Sequence, residues 1–173
     1  MIQTPPRTIL EVFESLPQGT LAQIINNNLI MAPSPDFQHQ DIVSEVASQL
    51  RMFVNKSSLG KVIVAPMDVY FGWKNVYQPD ILFLSNDRMN LVQDGKIKGA
   101  PDLIIEVLSP GTEAYDKKEK KEIYEQFGVK EYWLVDPGSK KTTGYLLKDG
   151  FYVETPSKNG AIISILLKTT IQF

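Results

Sequence analysis

The run Leu103-Ile104-Ile105-Glu106-Val107-Leu108 constrains the fold more than any other stretch of the chain. Successive residues of a strand point to opposite faces, and here both faces are apolar. A strand of that kind needs cover on both sides, which places it in the interior of a sheet. Glu106 is embedded in it, and an ionised carboxylate there is costly unless a cation offsets it. A second acid, Asp80, follows Pro79 at the mouth of the apolar run Ile81-Leu82-Phe83-Leu84. Period-two alternation puts Asp80, Leu82 and Leu84 on one strand face, and Ile104, Glu106 and Leu108 on one face of the other strand.

The remaining segments supply the cover. Residues 7–15 read as a short helix, and LAQIINNNLIMAP as a hairpin turning at Asn26-Asn27-Asn28. Residues 34–56 read as a helix, with Ser34 as cap and Pro35 in the first helical position. KVIVAP, MDVYFGW and YQPDILFLS read as successive strands, and residues 86–99 as polar and irregular around a turn at Asp94-Gly95. TEAYDKKEKKEIYEQFG reads as a helix closed by Gly128. EYWLVDP reads as another strand, and the tail as β-hairpins around Asp149-Gly150 and Asn159-Gly160. The order predicts an α/β (α+β) fold with a mixed sheet. With 173 residues, 43% of them hydrophobic, a single domain over 1–173 is expected.

Two more residues break the binary pattern. At about 100° per residue, Ile123, Tyr124 and Phe127 share a helix face, and Lys120 falls near its middle. Lys118 and Lys121 fall outside, and Lys117 near one edge. Unpaired lysines almost never face a core. In the helix spanning 36–54, the apolar face is Ile42, Val43, Val46, Leu50 and Phe53, and His39 lies on it. His39 is the chain's one histidine, and its asset is titration near neutrality.

Two explanations can balance the buried acids. One is a salt bridge from Glu106 to Lys120; the other is a metal site, for which carboxylates without cysteine suit a hard ion such as Mg²⁺. Other polar residues read as structural. Asp102 and Asp136 read as turn residues at strand ends. Glu45 reads as solvated, with a peripheral metal contact open to it. Tyr132 and Trp133 read as core or interface. The short basic clusters at Lys96-Ile97-Lys98 and Ser139-Lys140-Lys141 read as ordinary surface. Asp68 has no assigned place.

Composition removes several function classes. The absence of cysteine excludes disulfides, thiolate metal sites and a cysteine nucleophile. One histidine excludes a histidine-rich zinc cluster. Neither a P-loop nor a glycine-rich dinucleotide fingerprint is present. A net charge of -2 and a pI of about 5.5 give no global attraction to nucleic acid. No apolar run approaches the roughly 20 residues of a membrane span. The start, MIQTPPRTILEVFESLP, lacks a signal peptide's apolar core, so a cytoplasmic protein is expected.

These residues resemble the PD-(D/E)XK nuclease superfamily. Gln78-Pro79-Asp80 looks like its PD element, and Glu106 within IEVLSPG like its second acid. Within the superfamily, the chain is similar to the Uma-type restriction endonuclease family over nearly its whole length. The blocks APDLIIEVLSPGT and GVKEYWLVDP carry most of that similarity. The superfamily's usual lysine lies two residues after the second acid, where this chain has Leu108. The resemblance supplies it from the next helix, at Lys120. Gln23 and Asn26-Asn27-Asn28 stand where relatives carry an acid and an Asp-Gly turn.

The resemblance implies a restriction-endonuclease-like core, a mixed sheet flanked by helices, with its site at one edge of the sheet. Asp80, Glu106 and the Val107 carbonyl would hold Mg²⁺, with Mn²⁺ as a substitute. Lys120 would orient water or offset charge, and His39 would contact phosphate or move a proton. DNA is then the expected substrate, and a homodimer suits cleavage of both strands. A non-catalytic module binding nucleic acid or protein is the alternative, and an RNA nuclease is a third.

Overall fold

The computed structural model describes residues 6–173. The segment before Pro6, part of the stretch read as lacking a leader, lies outside the described residues. A central sheet of six strands carries the core, in the order β12-β11-β10-β9-β6-β3. These strands are β3 (Gly60–Val64), β6 (Ile81–Ser85), β9 (Leu103–Val107), β10 (Glu131–Val135), β11 (Thr142–Lys148) and β12 (Phe151–Thr155). Strands β9 and β10 pair in parallel and the other neighbours antiparallel, so the sheet is mixed as expected. Every residue of β9 and β10 is buried, as doubly covered interior strands require.

One face of this sheet packs on α2 (Phe37–Lys56). Ile42, Val43, Val46 and Leu50 meet Ile81, Phe83, Leu103, Ile105 and Val107 there. The C-terminal hairpin of β13 (Ala161–Ser164) and β14 (Thr169–Gln172) closes the same layer with Ile162, Ile171 and Phe173. The opposite face carries Leu82, Leu84, Ile104 and Tyr132, covered by Tyr124 of α4 (Lys121–Phe127). A second six-stranded sheet completes that side. Its strands are β1 (Ala22–Ile25), β2 (Asn28–Met31), β4 (Val69–Tyr70), β5 (Val76–Tyr77), β7 (Val92–Gln93) and β8 (Lys96–Lys98). Gly144 on β11 is required by packing: a Cβ there would stand 2.5 Å from the buried Trp133 ring and 2.4 Å from Thr155 Oγ1.

Several local expectations are corrected. Asp36 caps α2, accepting from the His39 N–H at 2.9 Å; Ser34 does not. Its carboxylate is the acceptor in reach of the third helical N–H. The stretch YQPDILFLS is two strands in different sheets, β5 and β6, broken at Gln78-Pro79-Asp80. Proline cannot donate to a ladder, so the chain changes sheets there. Residues 86–99 are ordered as a 3₁₀ helix (Asn86–Leu91) and the β7–β8 hairpin, which does turn at Asp94-Gly95. The predicted single helix from Thr112 is α3 (Glu113–Tyr115), a π-helical turn (Asp116–Lys120) and α4, closed by Gly128 at φ 85°. Asn159-Gly160 turns as expected, closing a short antiparallel bridge between Lys158 and Ala161, while the β13–β14 hairpin has its own turn after Ser164. Helix α1 (Ile9–Glu14), the Asn26-Asn27 turn and the Asp149-Gly150 turn stand where expected.

Asp102 is structural, as expected, though it is a buried ion-pair hub. It is 1% exposed, accepts from the Ser85 N–H at 2.8 Å, and pairs with Lys130 at 2.6 Å and Arg88 at 3.4 Å. Burial raises its pKa, but Lys130, Ser85 and Arg88 outweigh that and hold the carboxyl below its ordinary value. A depressed acid contributes stability above its unfolded pKa and loses it as pH falls through the folded pKa. Asp102→Asn is therefore expected to cost about 2 kcal/mol at neutral pH. The cost stays modest because Lys130 and Arg88 are partly exposed and can be rehydrated. Urea unfolding should show the difference from the native chain shrinking as pH falls below the ordinary carboxylate range.

Candidate active site

The carboxyl ends of β9 and β10 open onto a cleft of about 440 Å³. Its lining includes Gln23, His39, Gln78, Asp80, Glu106 and Lys120. Asp80 is placed by the chain's passage between sheets. Its carbonyl accepts from the Ala65 N–H at 3.0 Å, and its N–H donates to Glu106 Oε2 at 3.2 Å. Its Oδ2 accepts from the Val107 N–H at 2.8 Å. Asp80 thus stands one residue before its strand, with its side chain at the strand mouth and 19% exposed.

Glu106 is 2% exposed. Its Oε1 accepts from Lys120 Nζ at 3.0 Å and from the Tyr124 hydroxyl at 2.7 Å. Lys120 is equally buried, as its phase on the helix face predicted, whereas Lys117 and Lys118 are exposed. His39 is buried on the inner face of α2 and its Nε2 lies 3.2 Å from Asp80 Oδ2. The same ring lies against the Val107 main chain. The structure therefore brings together Asp80, Glu106, Val107, Lys120 and His39, drawn from four separate segments.

The electrostatics are those of a site short of positive charge. Burial pushes Glu106 up to about 7, against the pull of Lys120 and with the help of Asp116 and Asp80. Burial alone would lower the Lys120 ammonium; Asp116 and Glu106 outweigh it and hold its pKa raised. For His39, desolvation likewise lowers the pKa, and Asp80 with the Val107 carbonyl more than reverses this. Three carboxylates, Asp80, Glu106 and Asp116, face one lysine and one histidine. With all three carboxylates ionised the cluster keeps an excess of one negative charge when the imidazole is protonated, the form its raised pKa favours, and of two when it is neutral.

Some partners were not anticipated from the pattern. Asp116 is 1% exposed and places Oδ1 2.7 Å from Lys120 Nζ; its spacing of four residues from Lys120 was the available signal. Tyr124, read only as apolar, donates to Glu106 through its hydroxyl. Gln23 accepts from the Gln78 N–H at 3.1 Å and lines the cleft as a neutral amide. Asn26-Asn27-Asn28 form an exposed turn that is not part of the lining. Glu45 is exposed and away from the cleft. Asp68 pairs with Lys96 at 3.4 Å and accepts from Gln78 at 2.9 Å. Asp136 accepts from the Ser139 N–H, a turn residue as expected. Tyr132 and Trp133 are core.

Among the described residues no helix is long and apolar enough to cross a membrane. No protein of curated function matches the chain. A solved structure from Anabaena variabilis ATCC 29413, described as "a putative nuclease belonging to DUF820", is 22% identical. It superposes with a TM-score of 0.74, over 92% of this chain and 89% of that one. At this identity the likeness shows the fold. The sequence pattern of the Uma2 family, described as "Putative restriction endonuclease", matches residues 10–171. That match spans nearly the whole chain, both acids, Lys120 and His39 included, and the chain belongs to the Uma2 family.

Proposed function

We propose that this protein is a metal-dependent endonuclease that hydrolyses DNA phosphodiester bonds. The observation that carries the reading is the convergence of Asp80 and Glu106, with excess negative charge, beside Lys120 in one cleft. Family membership and the nuclease-like fold support it. Among the described residues no three histidine or acidic side chains form a metal-ion cluster. The donors on offer are two carboxylates and the Val107 carbonyl. That set fits Mg²⁺, which binds through one or two carboxylates and keeps several waters, with Mn²⁺ as a substitute. A cation held there lowers the pKa of water and stabilises charge on phosphate.

The chain's own residues do the rest. Lys120 holds a fixed positive charge beside Glu106 and offsets negative charge growing on the phosphate. His39 commits Nε2 to Asp80, while its buried Nδ1 has no partner. Nδ1 is shut off from solvent, so a role for His39 in phosphate contact or proton transfer runs through Nε2, which faces Asp80 at the cleft. A homodimer would set two such sites on a duplex.

One observation favours the alternative of a non-catalytic binding module: among the described residues Lys120 is the sole lysine or arginine lining the cleft, and it is buried. Tight nucleic-acid binding draws on phosphate contacts from exposed cations. The test is cleavage of supercoiled DNA, single-stranded DNA and RNA with Mg²⁺ or Mn²⁺, alongside Asp80→Ala and Glu106→Ala. Metal-dependent cleavage by the native chain, lost in both variants, is the expected result. Inactivity on every substrate with either metal would turn the assignment to the binding module.

A further inference from the structure

Asp116 is the one buried acid of the cluster to which the proposed chemistry gives no part. It opens the π-helical turn that ends at Lys120. Its main-chain carbonyl accepts from the Tyr132 hydroxyl at 2.9 Å, which ties the turn to β10. Its Oδ1 is 2.7 Å from Lys120 Nζ, a close ion pair without hydrogen-bond alignment, and that oxygen has no other partner. Lys120 has three donors on a flexible four-carbon stem. Among the described residues its polar contacts are Glu106 and Asp116. With Glu106 alone, the ammonium could settle fully onto that acid. With the Asp116 carboxylate at 2.7 Å as well, it is held by two acids.

We propose that Asp116 is a positioning residue, which fixes Lys120 Nζ against two carboxylates so that its remaining N–H is kept for the substrate. The location of this turn agrees with the habit of π-helical insertions to occur at functional sites. The effect on turnover rests on the nuclease reading; the effect on Lys120 itself does not.

Two measurements test it. In the first, kcat and KM for DNA are compared for Asp116→Ala, Asp116→Asn, Lys120→Met and the Asp116→Ala/Lys120→Met double variant. Misplacing a reacting group by about 1 Å costs on the order of 100-fold. Asp116→Ala should therefore lose about 10- to 100-fold in kcat with KM little changed. Asp116→Asn, which keeps an acceptor oxygen, should recover part of that loss. In the Lys120→Met background, Asp116→Ala should cost nothing more. A full further loss there, or an unaltered kcat in the single alanine variant, would overturn the proposal.

The second measurement follows the Lys120 ammonium by ¹⁵N NMR in metal-free, DNA-free protein. In Asp116→Asn the signal should stay sharp but shift, and in Asp116→Ala it should broaden. An unaltered signal in the alanine variant would overturn the proposal. If that variant fails to fold, the asparagine variant should still show a shifted signal, and an unshifted one would count against the idea. Should the native chain cleave nothing, the nuclease reading fails, and the NMR result still decides whether Asp116 positions Lys120.

Discussion

Lys120→Met is expected to destabilise the protein by about 3–5 kcal/mol and to lower cleavage by roughly 100- to 1,000-fold. The stability loss follows from what stays behind. Glu106 is 2% and Asp116 1% exposed, and both lean on the same ammonium, at 3.0 and 2.7 Å. Removing one partner of a buried ion pair strands the other, which costs far more than the pair itself contributes. Here two carboxylates are stranded, with Asp80 close by. Methionine fills similar volume, so the loss is electrostatic rather than a cavity effect. Urea unfolding in EDTA should show it. Adding Glu106→Gln and Asp116→Asn to the same variant should recover most of the stability and none of the cleavage.

Glu131→Ala should be the most damaging substitution away from the cleft. Glu131 is fully buried, and no lysine or arginine pairs with it among the described residues. It is held by neutral donors. Trp133 Nε1 donates at 2.8 Å, the Ser164 hydroxyl at 2.7 Å, and the N–H groups of Ile165 and Leu166 at 3.1 and 3.0 Å. Those last three fasten the β13–β14 turn, and with it Ile162, Ile171 and Phe173, to the central sheet. At about 1 kcal/mol or more for each orphaned buried donor, the expected loss is about 4 kcal/mol. Hydrogen exchange should place the damage in β13 and β14 first. Uniform loss of protection, with the hairpin no worse than β9, would mean that Glu131 is not the fastener.

Glu106 and Glu131 show what was legible in the sequence and what was not. Glu106 stood out because its strand is apolar on both faces, and Lys120 because it occupies the middle of an apolar helix stripe. A charge where the period demands a hydrophobe is visible without coordinates. His39 was visible by the same logic, and Asp80 by its place after Pro79. Glu131 was hidden at the start of a strand, where a solvated acid is common and only the distant β13–β14 turn reveals its partners. Asp116 was hidden in a run of alternating charges, where a helix-surface residue is the ordinary expectation. The division of YQPDILFLS between two sheets was not legible either. Local propensity marks strand-forming residues but does not specify which strand they pair with, and that choice set where Asp80 points. The π-helical turn was likewise unmarked, since no glycine or proline interrupts Asp116–Lys120.

In the proposed reading, the partly exposed Asp80 and the buried Glu106 stand together because they hold a divalent cation. Calorimetric titration of Mg²⁺ and Mn²⁺ into metal-free protein, repeated on Asp80→Asn and Glu106→Gln, tests it most directly. Saturable binding to the native chain is expected, lost or strongly weakened in each variant while both remain folded. Absence of binding to the native chain, or equal binding by the variants, would contradict it and leave Lys120 as the whole answer to the buried charge.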